Sequence, residues 1–284
     1  MNYSDFFKMI PEASLVVILI VLFVADFATA KTEERKWFNP LASVLLLLNT
    51  FVCLYPMGTQ SLFGGMYETT PAVDVMKAIL SMGTFIVVVQ SRVWAAKSGK
   101  EAEFYMLIVS TLLGMFTMMS AGNFLMFFLG LEMASVPLAC TVAFDMYRKN
   151  SAEGAAKFIL TATFSSGVML YGISFLYGQF GTLYFDDIAI MGLVFFFSGL
   201  GFKISLVPFH FWTADTYQGA PTTVTGYLSV ISKGAAAFTL LSILFHVFGG
   251  MMEYWHVLLM IVVVLSITIA NIFAVRQNEL KRFM

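Results

Sequence analysis

An all-α, polytopic transmembrane helix bundle of about nine spans, one of them broken, is predicted by three observations. Hydrophobic residues make up 59% of the 284 and charged residues only 12%, about half the charged share of a soluble globular domain. Apolar runs near the roughly 20 residues that a spanning helix needs recur along the whole chain. The lysines and arginines between those runs fall on one side only.

The spans are expected at about 12–30, 38–57, 72–95, 104–121, 123–145, 154–178, 188–216, 220–247 and 252–275. The first is kept as a span and not as a cleaved leader. Its flank MNYSDFFKMIPE holds Asp5 and Glu12 against Lys8, whereas a signal peptide opens with a positive region. The fourth and fifth runs are nearly continuous over about 42 residues, or about 63 Å at 1.5 Å per residue. The chain is therefore expected to fold back at Ser120-Ala121-Gly122-Asn123.

Of the 16 basic residues, Lys31, Arg35, Lys36, Arg92, Lys97, Lys100, Arg148, Lys149, Lys157, Arg276, Lys281 and Arg282 follow odd-numbered spans. The loops between the others contain none. By the positive-inside rule the basic side is cytoplasmic, which puts the N-terminus outside. Trp37, Trp94, Tyr105 and Tyr147 are expected in one interfacial aromatic belt, and Tyr55, Tyr177, Tyr184 and Trp255 in the other. Cys53 and Cys140 both lie in apolar runs and read as packing residues. A formal charge of −1 gives no general attraction to nucleic acid.

Few ions remain at membrane depth. Asp74 and Lys77 near a span end read as a local i,i+3 pair. Glu132, Lys203 and Lys233 instead lie near the middle of neighbouring spans. An unpaired charge there costs roughly 2.5–3.5 kcal/mol even on lenient insertion scales, so such groups face the bundle interior and mark ion or proton paths. A structural Glu–Lys pair that only fixes packing would leave one cation over. Burial disfavours a charged lysine and a nearby carboxylate favours it. A changing Glu132–Lys203 distance would therefore let Lys203 hold or release a proton. Pro208, five residues on, removes a helical hydrogen bond, and broken helices at this depth are tolerated where they line a cavity. His210 beside the break is a candidate relay, or a partner for the carbonyls that the break frees.

The run PFHFWTADTYQGAPTTVTGYLSVISK (208–233), with LGLEMASVPL (129–138), resembles the antiporter-like membrane subunits of respiratory complex I. IPEASLVVILIVLFVADF, FYMLIVSTLLGM and EGAAKFILTATFSSGVMLYGISFLYG resemble the same family, and Leu131-Glu132 with VPFHFW are most similar to its N-type members. The resemblance implies that Glu132 is the glutamate of the fifth helix, Lys203 the lysine of the broken seventh, Lys233 the central lysine of the eighth and Lys157 a further lysine of the sixth. Ala214 stands where the family often has proline in W-x-P-D, while Asp215 and Tyr217 remain.

The same resemblance implies three leading helices (1–100), one complete five-helix antiporter-like repeat (101–250) and the first helix of a second repeat (251–284). Because that second repeat stops at RQNELKRFM, a truncated reading frame or a partial chain is expected, not a minimal subunit. The implied function is redox-coupled proton translocation in a complex that oxidises NADH and reduces quinone, in a bacterial inner membrane. No cofactor is expected on this chain. NADH, FMN, iron–sulfur clusters and quinone would belong to partner subunits, and the implied partners are antiporter-like and small helical membrane subunits plus the lipid bilayer. The alternatives are a subunit of a multi-subunit cation/proton antiporter, a subunit of a membrane-bound hydrogenase, and a structural scaffold.

Overall fold

A computed structural model describes residues 3–29, 37–55, 58–185 and 190–283. α1 (Ile10–Ala28) and α2 (Phe38–Leu54) lead to a small hairpin, β1 (Gln60–Leu62) against β2 (Tyr67–Thr69), in register Leu62 to Tyr67. α3 (Pro71–Ser98) starts with Pro71, whose missing N–H costs nothing at a helix N-terminus. The side chain of Thr70 caps it by accepting from the Val73 N–H. α4 (Glu101–Met119) and α5 (Phe124–Val142) follow, α5 being capped by the Asn123 side chain on the Met126 N–H at 2.7 Å. α6 (Lys149–Phe180), α7 (Ile190–Ile204), α8 (Trp212–Gly219), α9 (Thr222–Gly226), a π-helical turn (Tyr227–Ser232), α10 (Lys233–His246), α11 (Met252–Val275) and the short α12 (Leu280–Phe283) complete the order.

The nine expected spans all have counterparts. Seven helices among the described residues are long and apolar enough to cross a membrane, and Phe38–Leu54 and Gly192–Ile204 are shorter apolar helices. α6 has 32 residues, about 48 Å of helix against about 30 Å of hydrocarbon. Its first turns, with Lys149, Glu153 and Lys157, therefore extend beyond the apolar layer. The expected loop at 57–70 is the hairpin, a local departure from an all-helical chain.

The two ends of the bundle differ as the basic residues require. At one end Lys97 and Lys100 share a crevice with Asp145 and Tyr147, Lys157 meets Asp215, and Lys281 Nζ donates to the Ala220 carbonyl. At the other end the hairpin closes over the α4–α5 turn, where Gly122 N–H donates to the Met66 carbonyl and Glu68 N–H to that of Ser120. Lys31, Arg35, Lys36 and the start of the seventh span lie outside the described residues.

Two belt assignments need correction. Tyr105 is fully buried, its hydroxyl accepting from Asn39 Nδ2 at 2.7 Å and from Ser91 Oγ at 3.4 Å. Trp255 is 4% exposed, and its indole N–H donates to the Phe248 carbonyl. In both cases a buried partner for the polar end outcompetes the interface. Trp37, Tyr55, Tyr147 and Tyr177 are exposed as expected.

α4 is the central column, buried along most of its length from Ala102 to Met119. It meets α5 through glycines on both helices. A Cβ on Gly114 would lie 2.3 Å from the Ala134 nitrogen, and one on Gly130 would lie 2.5 Å from that of Met118. Lipid offers no hydrophobic drive between helices, so such close backbone approach supplies the packing instead.

Candidate functional site

α7 is stopped by a complete C-terminal cap. Leu206 N–H bonds the Gly201 carbonyl at 2.8 Å and Ser205 N–H that of Phe202 at 3.0 Å, the pairing of a Schellman motif. Its left-handed position is held by Ser205 at φ 68° and not by glycine. A non-glycine residue there costs roughly 1–2 kcal/mol. The backbone then runs through a cis Val207–Pro208 peptide bond to α8. Groups freed by the break find partners: Val207 N–H donates to Ser266 Oγ of α11 at 3.0 Å, and Trp212 Nε1 to the Phe202 carbonyl at 3.2 Å. The break is thus built in, with the Val207 N–H and the Phe202 carbonyl bonded inside the protein.

This geometry places Lys203 in the last turn of a half-helix, where the helix dipole favours a cation. Lys203 is 2% exposed, and its ammonium donates to Ser135 Oγ at 2.8 Å. Ser135 lies three residues after Glu132 on α5, hence on the same helix face. Lys203 and Glu132 are not in direct ion-pair contact. Glu132 Oε1 is buried without a hydrogen-bond partner. Ser135 was not singled out in the sequence, although its one-turn spacing from Glu132 was available.

Lys233 follows the π-helical turn directly and lines a cavity of about 400 Å³. The cavity wall also carries His210, Asp215, Tyr217, Ser205 and Arg282. Both ring nitrogens of His210 and the Tyr217 hydroxyl are buried without protein partners. A space many times the roughly 30 Å³ that liquid water occupies per molecule, edged by Lys233, Asp215 and Arg282, is what a hydrated cavity needs. The structure therefore brings Lys233 and His210 to one cavity and sets Lys203 in a separate contact with α5.

Lys157 joins neither group. Its ammonium lies 2.6 Å from Glu153 Oε1 and 2.6 Å from Asp215 Oδ2, at the basic end of the bundle. The other oxygen of Asp215 accepts from Arg282 Nη1 at 2.8 Å. Asp215 thus ties α6 and the segment after α11 to the mouth of the Lys233 cavity.

A second charged cluster was misread in sequence. Lys77 pairs with Glu12 of α1 at 2.7 Å, and not with Asp74. Tyr67 of the hairpin donates to Glu12 Oε2 at 2.9 Å and accepts from Lys77 at 3.1 Å. Asp74 instead accepts from Thr69 Oγ1 at 2.7 Å. Lys77 is fully buried and Glu12 is 3% exposed. In the sequence Glu12 reads only as an N-terminal flank charge, because a contact to α3 across more than sixty residues leaves no local signal. Breaking a buried pair from one side costs about 3–5 kcal/mol. Lys77→Met is accordingly expected to lower the thermal stability of the subunit by that order. Lys77→Met with Glu12→Gln should recover part of the loss, as a double-mutant cycle on melting temperature would measure.

Comparisons with known proteins bear on the fold and the family. The family model described as NADH:quinone oxidoreductase/Mrp antiporter, TM matches residues 121–284. NADH-quinone oxidoreductase subunit N of Phocaeicola vulgatus is 55% identical over all of this chain and 62% of its own length. The protein of that name from Azobacteroides pseudotrichonymphae is 45% identical, again over all of this chain and 62% of its own length. A chain of respiratory complex I from Thermus thermophilus with bound aureothin superposes with a TM-score of 0.82 at 28% identity, over 96% of this chain and 60% of that one. The chain therefore spans less than two thirds of the relatives it matches. With the family model covering more than half of its residues, the chain belongs to the NADH:quinone oxidoreductase/Mrp antiporter transmembrane family.

Proposed function

We propose that this chain forms part of a proton-translocating membrane subunit of a bacterial NADH–quinone oxidoreductase, with its N-terminus on the outer side of the inner membrane. Glu132, Lys203 and Lys233 carry the proton steps, with Lys157 and His210 in secondary roles. NADH, FMN, iron–sulfur clusters and quinone act on partner subunits, and antiporter-like and small helical subunits are its neighbours in the membrane. The leading helices (1–100), the first repeat (101–250) and the opening of a second (251–284) are its divisions.

One observation carries the reading. A buried lysine closes a broken half-helix and bonds the helix that bears Glu132, a carboxylate with one oxygen buried and unpartnered. Such a lysine has two states that a moving neighbour can exchange, since desolvation opposes its charge and the carboxylate supports it. Lys233, at the start of α10, opens on a polar-edged cavity that reaches the basic end of the bundle, which would supply protons from that side. Subunit N is what the two relatives are named, and the redox chemistry in that name is assigned here to other chains.

The test is Lys203→Ala in the chromosomal gene, studied in inverted membrane vesicles. NADH oxidation and lumen acidification are recorded on one sample, with assembly checked on a native gel. Loss of both activities in an intact complex is expected. Unchanged NADH-driven pumping would overturn the role of Lys203, and would direct the same vesicles to a test of cation-driven proton exchange.

A further inference from the structure

Lys233, half-buried, differs from the buried lysines Lys77 and Lys203 in its company. Lys77 has Glu12, and Lys203 has Ser135 on the helix that bears Glu132. No carboxylate is in ion-pair contact with Lys233 among the described residues. Asp215, the acid on the same cavity wall, is committed to Lys157 and Arg282. Instead the Lys233 ammonium lies 5.2 Å from the centroid of the Tyr217 ring. Tyr217 is 1% exposed, and its hydroxyl has no protein partner.

We propose that Tyr217 is a positioning residue for Lys233, its ring face holding the ammonium at the cavity wall while the proton is carried. An aromatic face attracts a cation within about 6 Å, most strongly where water is displaced. It has no comparable attraction for the neutral amine. The ring therefore keeps Lys233 in place when protonated and loosens it when the proton has left, without itself exchanging a proton. A carboxylate in the same position would hold the charge far more tightly, and a tightly paired cation is a poor carrier. The ring is fixed from the protein side: α8 packs on α6 through Thr216 Oγ1, which donates to the Gly154 carbonyl at 3.1 Å, and Thr225 Oγ1 donates to the Tyr217 carbonyl at 3.1 Å.

This inference rests on the proton-carrying role of Lys233, and the experiment separates the two. In the assembled complex, Tyr217 is replaced by phenylalanine, by singly and triply ring-fluorinated phenylalanine, and by leucine. Fluorination weakens the negative ring face while nearly preserving shape. NADH-driven pumping is expected to decline stepwise with fluorination relative to Tyr217→Phe, and to be roughly tenfold lower in Tyr217→Leu. Assembly on a native gel should be the same across the aromatic series. A triply fluorinated ring that supports pumping as well as phenylalanine would overturn the role of Tyr217, even if Lys233→Met in the same membranes is inactive. Normal pumping by Lys233→Met would overturn the reading beneath it.

Discussion

Replacing Lys233 by methionine is expected to abolish NADH-driven proton pumping, at least about a hundredfold on the scale at which a lost acid–base group acts, while the complex still assembles. Assembly should survive because Lys233 has no carboxylate in ion-pair contact among the described residues, so its removal strands no buried countercharge, the usual source of a large penalty. Methionine fills much of the same volume beside Tyr217 and the cavity. Lys233→Arg separates charge from titration. A guanidinium keeps the positive charge but does not lose its proton in proteins, so that variant should assemble and also fail to pump. The measurement is lumen acidification against NADH oxidation in inverted vesicles. Wild-type pumping in Lys233→Arg would show that only the charge matters and would remove Lys233 from the proton path.

Gly130→Ala is expected to cost about 3 kcal/mol, the upper end of overpacking lesions, although it adds a single methyl group. That methyl would sit 2.5 Å from the backbone nitrogen of Met118 and 2.7 Å from its Cα, and backbone inside a packed helix pair cannot swing aside. α4 and α5 must separate, and Glu132 and Ser135 move with α5. Thermal unfolding in detergent micelles, with native-gel assembly, reads the stability loss. Gly167→Ala on α6 is the control, because its Cβ meets nothing within 4 Å. Equal behaviour of the two variants would show that the α4–α5 approach is not what holds this part of the bundle together.

The helices were legible because a bilayer imposes a length and a polarity rule that composition alone can satisfy. All nine spans have helical counterparts, and the Ser120–Asn123 turn falls between α4 and α5. Side-chain partners were less legible. The positions of Glu132 and Lys203 at depth could be counted along their runs, but the Ser135 hydroxyl between the two helices depends on how α5 and α7 are rotated. The Glu12–Lys77 pair escaped for the opposite reason: a nearer acid, Asp74, satisfied the local spacing rule and masked the distant one. Tyr105 and Trp255 were placed by residue type at an interface, whereas their buried hydrogen-bond partners decide their positions. His210 was readable as a residue beside a break, but its place on the cavity with Lys233 comes from tertiary folding.

The wide turn at Tyr227–Ser232 acts as a phase shifter. In a regular α-helix each residue advances about 100° around the axis, so a turn that takes in one extra residue rotates everything after it by about that amount. Upstream, Val224 and Tyr227 face the packed interior; downstream, Ala235, Ala236 and Thr239 do so. A single unbroken period through 222–246 could not serve both sets and also turn the Lys233 ammonium toward Tyr217. The extra residue lets one helix carry two differently aimed faces, joined at the position where the charge sits.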